Sequence, residues 1–516
     1  VKIDRLDFTL EGSPIASKAE ITWSDKRASL SAELRTSNFN LDRFLLQNPD
    51  IKPVPVSGTA AIKSEGETFS ELLANLSGDI NLSSDRKSPP GDLSKRREIE
   101  VSIKRIADGT HAEISKLLLG ESDLTGSVNY MASTPPKVDI KINSGSFSLV
   151  PWEASEKDTR AAATAGKDKE DKKDAPKSMI ASAADTSASY LGRALSAPSR
   201  LLLGPGEAPA GEKYFSSEPL PFDKLRNVHA TIEGHMNAVT GLDHIVQDLS
   251  VKGTLQNGQL ELQVNAGNLN GGTADMELSV NTGTTPPTLK LNSHFDKVGG
   301  IPGRDGYPKT GALLLNSQGQ SPAEIAGNLN GQAFLELGEG PFNYANLTLL
   351  SADVATRASR TLMPGVEKSE PRLECAITMA TFKDGKGITP YGYAARTQEA
   401  NLIGRIVLDL KKEMLQLRFD SRSREGVGLA VGNVFSNTLQ IRGPLTDPQI
   451  VPNTTGLAWR GWAAFMTAGL SVVGESVLKR ALAEENPCKA IRKDIRKDIC
   501  GTDQPLASAK AICPGA

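Results

Sequence analysis

The sequence predicts a mainly β protein: a long, repetitive antiparallel meander curled into an apolar groove, with a disordered insertion and a helical C-terminal tail. Three observations predict it. Apolar and polar residues alternate at period two over most of the chain, the pattern of strands with one apolar and one wet face. Gly (47) and Pro (30) are plentiful while aromatics are few (14 Phe, 7 Tyr, 4 Trp), a mixture suited to many short strands joined by turns. Related segments also recur far apart in the chain.

The N-terminal meander is expected over residues 1–152. "ASLSAELRTSNFNL" sets Leu30, Ala32 and Leu34 against Ser31, Glu33 and Arg35. "KVDIKINSGSFSL" sets Val138, Ile140 and Ile142 against Asp139, Lys141 and Asn143. Residues 153–213 change character: "EKDTRAAATAGKDKEDKKDAPK" mixes both charges with Ala, Gly and Pro. Such a stretch cannot bury enough apolar surface to offset its ordering entropy, so a flexible linker is expected. The apolar element "ASYLGRALSAPSRLLL" within it reads either as a helix packed back on the sheet or as an interfacial segment.

A second meander is expected over 214–452. Leu249, Val251 and Leu255 lead to a turn at Asn257-Gly258, a strong hairpin signal. Leu260, Leu262, Val264 and Ala266 alternate with Glu261, Gln263 and Asn265, and Met276, Leu278, Val280, Leu289 and Leu291 continue the pattern. Later, Ile406, Leu408 and Leu410 precede a turn at Lys411-Lys412, followed by Leu415, Leu417 and Phe419. The tail, 453–516, reads as helical. "GLAWRGWAAFMTAGLSVVGESVLKRALAEENP" is too short in its uncharged core to span a bilayer, and reads as a sheet-capping or an interfacial helix. After Pro487, residues Cys488, Ile491, Ile495 and Ile499 form one helical stripe.

Two repeats tie the halves together. "SVNYMASTPPKVDIKINS" from Ser127 resembles "SVNTGTTPPTLKLNS" from Ser279, and "ELLANLSGDINL" from Glu71 resembles "EIAGNLNGQAFL" from Glu324. The offsets, 279 − 127 = 152 and 324 − 71 = 253, differ. A duplicated meander with variable insertions therefore fits better than a strict solenoid. Pro135-Pro136 and Pro286-Pro287 belong between strands, because Pro lacks the ladder N–H.

Composition and motifs exclude several classes. Lys+Arg (59) and Asp+Glu (61) nearly cancel, for a net charge of −2, so nothing favours nucleic acid. No apolar run approaches the roughly 18 residues of a transmembrane helix; any signal or anchor is expected upstream of Val1. His229, His235 and His244 match no zinc spacing. "GEAPAGEK" places Glu212 where a phosphate loop needs Lys. "GVGLAVG" from Gly426 suggests close backbone packing. No G-x-S-x-G motif and no acid pair stands out, so neither an enzyme, a metal site nor a cofactor is expected. Cys375 reads as a buried small hydrophobe. Cys488 and Cys500 would lie about 18 Å apart on one helix, beyond disulfide reach. A turn at "GTDQP" would return Cys513 to Cys488, and a Cys488–Cys513 bridge is expected, suited to an oxidising compartment.

A meander with one continuous apolar face must hide that face. It can form an ordinary core, or it can hold acyl chains. Withdrawing a sixteen-carbon chain from a membrane costs about 12 kcal/mol unless apolar contacts replace it, at about 0.8 per CH₂. A lipid conduit therefore needs an uncharged floor. About 25 strands at about 4.8 Å would make an array of about 120 Å.

The second half resembles the AsmA family of Gram-negative envelope proteins, a group related to TamB. "PLPFDKLRNVHATIEGHMNAVTGLDHIVQDLSVKGTLQNGQLELQVNAGNLNGGTADMELSV" is similar to its repeated sheet unit. "AEIAGNLNGQAFLELGEGPF" resembles its L-x-G segment, and "RLECAITMATFKDGKGIT" its Cys-bearing strand with an Asp384-Gly385 turn. "IGRIVLDLKKEMLQLRF" and "LQIRGPLTDPQIVPN" resemble its closing strands. The resemblance implies an inner-membrane-anchored periplasmic protein with a long β-rich groove, linked to outer-membrane integrity and phospholipid movement between membranes. It supplies no catalytic residue, and it says nothing of the charged insertion or the Cys-bearing tail. The expected groove residues are Leu255, Leu260, Leu262, Val264, Met276, Leu278, Val280, Leu289, Leu291, Leu408 and Leu417. Expected partners are phospholipid acyl chains, the inner membrane through an upstream anchor, and the outer membrane or its assembly proteins. The rival reading is an assembly scaffold that binds outer-membrane proteins by strand addition at exposed edges.

Overall fold

The computed structural model describes residues 2–10, 13–24, 27–40, 55–84, 97–106, 109–148, 213–240, 245–299, 307–341, 372–398, 400–424, 437–446, 448–451 and 484–499. The chain divides into two units: Val1–Leu202 with Asn227–Gln256, and Leu203–Arg226 with Asn257–Ala516. Each is built on an antiparallel meander.

The first unit holds β1 (Lys2–Leu10), β2 (Ser13–Ser24), β3 (Arg27–Asn40), β4 (Pro55–Gly66), helix α1 (Phe69–Ala74), β5 (Ser77–Ser83), β6 (Arg97–Ile106), β7 (Gly109–Leu119), β8 (Ser122–Met131), β9 (Lys137–Ser144), β10 (Phe147–Ser148), β11 (His229–Thr240) and β12 (Val246–Gln256). Neighbours in sequence pair antiparallel from β1 to β9, and β11 with β12. One strand departs from the expected antiparallel order: β11 lies parallel to β9, with His229 opposite Lys137, and to the short β10. A parallel pair needs a crossover of a dozen or more residues, and the chain between Ser148 and His229 is long enough to provide it. Ile15, Phe39, Val56 and Leu119 form one buried cluster drawn from β2, β3, β4 and β7. Strands three places apart lie about 14 Å apart in a flat sheet, so this sheet bends around its apolar face.

The second unit holds a 3₁₀ turn (Phe222–Asn227), β13 (Gln259–Leu269), β14 (Gly272–Asn281), β15 (Thr288–Val298), β16 (Lys309–Gln318), α2 (Pro322–Gly327), β17 (Asn330–Leu337), β18 (Gly340–Pro341), β19 (Arg372–Lys383), β20 (Lys386–Ile388), β21 (Tyr393–Thr397), β22 (Ala400–Asp409), β23 (Met414–Ser423), β24 (Asn437–Pro444), β25 (Gln449–Val451) and α3 (Pro487–Ile499). The order from β13 to β17 is sequential, β17 pairs with β19, and β19 with β20 and β21. From β21 the order is again sequential to β25.

The turns follow their sequence signals. Asn257 (φ 52°) and Gly258 (φ 74°) both have positive φ, the backbone a two-residue hairpin turn of type I′ requires. Both Thr-Pro-Pro elements lie between strands, with Thr134–Pro135 and Thr285–Pro286 cis. The repeat at offset 253 proves longer in three dimensions than in sequence. In α1, Thr68 Oγ1 accepts from the Glu71 N–H (3.2 Å), and Glu71 Oε2 accepts from the Glu67 N–H (2.8 Å). In α2, Ser321 Oγ accepts from the Glu324 N–H (3.3 Å), and Glu324 Oε2 accepts from the Gln320 N–H (2.7 Å). Ser64 Oγ donates to the Leu72 carbonyl and Ser317 Oγ to that of Ile325. Asn75 donates to the Glu65 carbonyl and Asn328 to that of Gln318. Each pair is 253 residues apart, so the two units share one corner: a strand, a capped single-turn helix, and the next strand.

The described tail is the helix α3, and its stripe faces the sheet. Cys488, Ile491 and Ile495 pack against Phe334, Ile377, Met379, Tyr391, Ala394 and Ile403. The cysteine expectation is corrected here. Cys488 bonds to Cys375 on β19, 113 residues away, and not to Cys513, which lies outside the described residues. Cys375 is therefore half of a staple rather than a lone hydrophobe. The reason is tertiary: Cys375, Ile377 and Met379 share the face of β19 that α3 covers. The expected helix in "GLAWRGWAAFMTAGLSVVGESVLKRALAEENP", the 153–213 linker, "GVGLAVG" and Cys500 fall mainly or wholly outside the described residues. Replacing Cys375 by Ser is expected to lower unfolding stability by about 2–5 kcal/mol, measured by denaturant titration. An unchanged midpoint would mean that packing alone holds α3.

Candidate functional site

The expected groove residues fall on strands as their alternation requires. Leu255 lies on β12 of the first unit. Leu260, Leu262 and Val264 lie on β13, Met276, Leu278 and Val280 on β14, and Leu289 and Leu291 on β15. Leu408 is on β22 and Leu417 on β23.

Register brings those of the second unit onto one face. Leu260 stands opposite Val280, Leu262 opposite Leu278 and Val264 opposite Met276. Leu278 then faces Leu291, and Val280 faces Leu289. The face continues through Leu291–Leu315, Leu313–Ala333, Ala333–Ala380 and Thr378–Tyr393. It ends through Tyr393–Gly404, Ile406–Leu417, Leu408–Leu415 and Leu417–Ile441. No charged side chain interrupts the described strand interiors on this face. The first charge in step with it is Lys309, exposed at the start of β16 and lying over the Tyr307 ring. The opposite face carries the charges, as in the Glu261–Ser279 and Gln263–Glu277 pairs.

The first unit repeats the design. Ile21 faces Leu30, Ala32 faces Ile62, Ala60 faces Ile80, and Leu82 faces Ile99. Ile99 faces Leu117, Ala112 faces Val128, Val128 faces Ile140, Ile140 faces Ile232, and Met236 faces Leu249. Here too the charges in step with the face, Arg97 and Arg105, stand at the ends of β6.

Exposure along the second unit's face is uneven. Leu260, Leu262, Val264, Met276, Leu278, Leu289 and Leu291 are half-buried, and Leu335 on β17 is 37% exposed. Further on, Ala400, Leu402, Leu415, Leu417, Phe419 and Ile441 form a buried cluster, with Leu415 1% and Ile441 0% exposed. The closure has a local cause. The rings of Tyr393 on β21 and Phe419 on β23 meet edge-to-face, centroids 5.2 Å apart, although a whole strand separates them. Gly404 lies between, and a Cβ there would sit 2.6 Å from the Tyr393 hydroxyl and collide with the Arg418 carbonyl. Burial pushes the Tyr393 hydroxyl well above its ordinary pKa of 10.0, and the nearby Asp420 charge adds to the shift.

Two features of this unit carry no local sequence signal. The segment before β11 forms a strap across strand ends. Tyr214 N–H donates to Glu413 Oε2 (2.7 Å) and Phe215 N–H to Glu413 Oε1 (3.4 Å). Ala323 N–H donates to the Ser216 carbonyl (3.0 Å), and Leu220 N–H to that of Gln320 (2.7 Å). Arg226 Nη2 donates to the Thr282 carbonyl. The second feature is a charge cluster beside α3. Glu374 bridges Arg396 and Arg424, each at 2.5 Å, and Arg396 Nη1 also donates to the Glu485 carbonyl (2.6 Å). A nearer reading of Glu374, next to Cys375 in the strand, would have been the only clue to it.

Among the described residues no group of three His, Cys, Asp or Glu could hold a metal, and no helix is long and apolar enough to cross a membrane. Comparison with family models, with curated proteins and with solved structures returned no match in any of the three.

Burial works against the Glu374 carboxylate, but hydrogen bonds and charge from Arg424 and Arg396 outweigh it and hold its pKa below the ordinary 4.5. A carboxylate with a lowered folded-state pKa contributes stability in full above its unfolded value and loses it as pH falls through the folded one. The melting temperature should therefore drop below about pH 4.5, with a shallower slope in Glu374→Gln; equal slopes would remove Glu374 from the acid response. Gly404→Ala should cost several kcal/mol, as strained core sites do, read by thermal unfolding; a neutral effect would mean that Tyr393 and Phe419 part at little cost.

Proposed function

We propose that this chain holds or conducts phospholipid along its apolar sheet face, as an AsmA-like protein of the Gram-negative envelope, between inner and outer membranes. One observation carries the reading: a register-matched face without internal charge on which most of the leucines between β13 and β17 are half-exposed, with Val280 and Ala266 buried among them. An apolar face left in contact with water is costly at about 25 cal/mol per Å². Acyl chains would remove that cost, and the face would in turn replace the membrane contacts each CH₂ loses, about 0.8 kcal/mol apiece. A charge on this face would face desolvation without a partner, which accounts for its absence there. The Cys375–Cys488 bond is in keeping with an oxidising compartment such as the periplasm. The inner-membrane anchor and the envelope role rest on the AsmA resemblance.

The test is purification of the native chain from a Gram-negative periplasm and mass spectrometry of bound lipid. At least one phospholipid per chain is expected. Leu262→Asp, placed in the middle of β13 opposite Leu278, should lose most of that lipid while its circular dichroism stays unchanged. A folded, lipid-free wild type, or full lipid on a folded Leu262→Asp chain, overturns the reading. If protein partners were retained instead, strand-edge binding would take its place.

A further inference from the structure

We infer that the second unit's apolar face is a blind-ended site: acyl chains occupy it from β13 to β19 and stop at a plug built by β21 to β24. This rests on the phospholipid reading and adds where the lipid ends.

The argument starts from the change in burial along one face. From β13 to β17 most side chains in register are half-buried, Leu335 is 37% exposed, and only Val280 (5%) and Ala266 (8%) among the apolar side chains on this face are buried. Further along, the same face is packed around a buried cluster, with Tyr393, Ala395, Ile406 and Leu408 half-buried against it. Leu402, Leu415, Leu417 and Ile441 contact one another, and Leu415 and Ile441 have 1% and 0% exposure. Side chains already packed to crystal-like density leave no space for a polymethylene chain. To admit one, the cluster would have to open and lose its mutual contacts, at a cost comparable to core disruption.

The boundary is the Tyr393–Phe419 contact. The two rings close over Gly404, and Tyr393 is the cross-strand neighbour of Thr378 on β19. A chain lying on Ala333 and Ala380, themselves directly opposed, would meet Tyr393 next. The Tyr393 hydroxyl is buried with no hydrogen-bond partner among the described residues, so this wall is fixed by packing and by the missing side chain at Gly404. Behind it, the other side of the sheet is held by α3, through Cys375–Cys488 and an ion pair between Arg492 and Glu336. The helix thus backs β19, β21 and β22, the strands at the near side of the plug, through Ile377, Ala394 and Ile403. On this reading Leu408 and Leu417 are plug residues, while Leu262, Leu278 and Leu291 touch lipid.

The test uses the full chain with its leucines replaced by the near-isosteric, photo-activatable diazirine analogue of leucine. It is incubated with vesicles of phosphatidylethanolamine and phosphatidylglycerol, re-isolated and irradiated. Lipid adducts are then mapped by peptide mass spectrometry. Adducts are expected on Leu262, Leu278, Leu291 and Leu335, with Leu402, Leu415 and Leu417 at background. Adducts on Leu415 or Leu417 equal to those on Leu262 would overturn the plug and leave the lipid reading intact. Adducts at none of these positions would overturn both. As a second measurement, Phe419→Ala, which opens the wall, should bring adducts to Leu402 and Leu417; a folded variant without them would place the barrier elsewhere and overturn the assignment to the two rings.

Discussion

Strand register is the constraint on which this molecule depends. Side chains alternate across a strand at period two, so a slip of one residue would send every leucine of that strand to the charged face. The pairings Leu262–Leu278, Leu278–Leu291 and Leu291–Leu315 survive only if each intervening turn has the right length. The chain fixes those lengths by several independent means. Asn270-Gly271, both at positive φ, supplies the turn between β13 and β14. The capped helices α1 and α2 set two corners by the same hydrogen bonds. The 213–227 strap ties strand ends near Thr282, Gln320 and Glu413. Redundant control of register is what a sheet with one apolar and one charged face needs, because a slip of one residue exchanges the two.

The second unit solves that weakness at one end. Around β19, β21 and β22 its sheet packs apolar residues on both faces. One face folds onto itself around Leu415 and Ile441, and the other receives α3. A two-sided core gives cooperative packing that a single apolar face cannot. The disulfide adds to it by shortening the loops of the unfolded chain. The mostly half-exposed face from β13 to β17 then extends from a firm base. Stability and accessible apolar surface, which compete in any small sheet, are thereby placed on different strands.

The acidic and basic residues follow the same division. Across the described strand interiors, charge is kept to one face, where water and cross-strand partners are available. Where a carboxylate is partly buried, as at Glu374, two arginines accompany it. Ser64 and Ser317 are neutral polar groups on the apolar side, and each donates to a helix carbonyl.

The sequence by itself determined the strands, the apolar face and most turns. These are local properties: alternation at period two, Asn-Gly and Asp-Gly turns, and Pro pairs excluded from ladders. The strand positions and common face of Leu260 to Leu291 were legible for that reason, and so was the stripe of α3. The tertiary structure alone decided what lies far apart in sequence. It paired Cys375 with Cys488, laid β11 parallel to β9, stretched the strap across strand ends, and closed Tyr393 onto Phe419 over Gly404. It also separated Leu417, buried in a cluster, from Leu262, half-exposed, although both alternate in the same way. Periodicity specifies which way a side chain points; whether anything meets it there depends on how the sheet curves, and curvature is a property of many strands together.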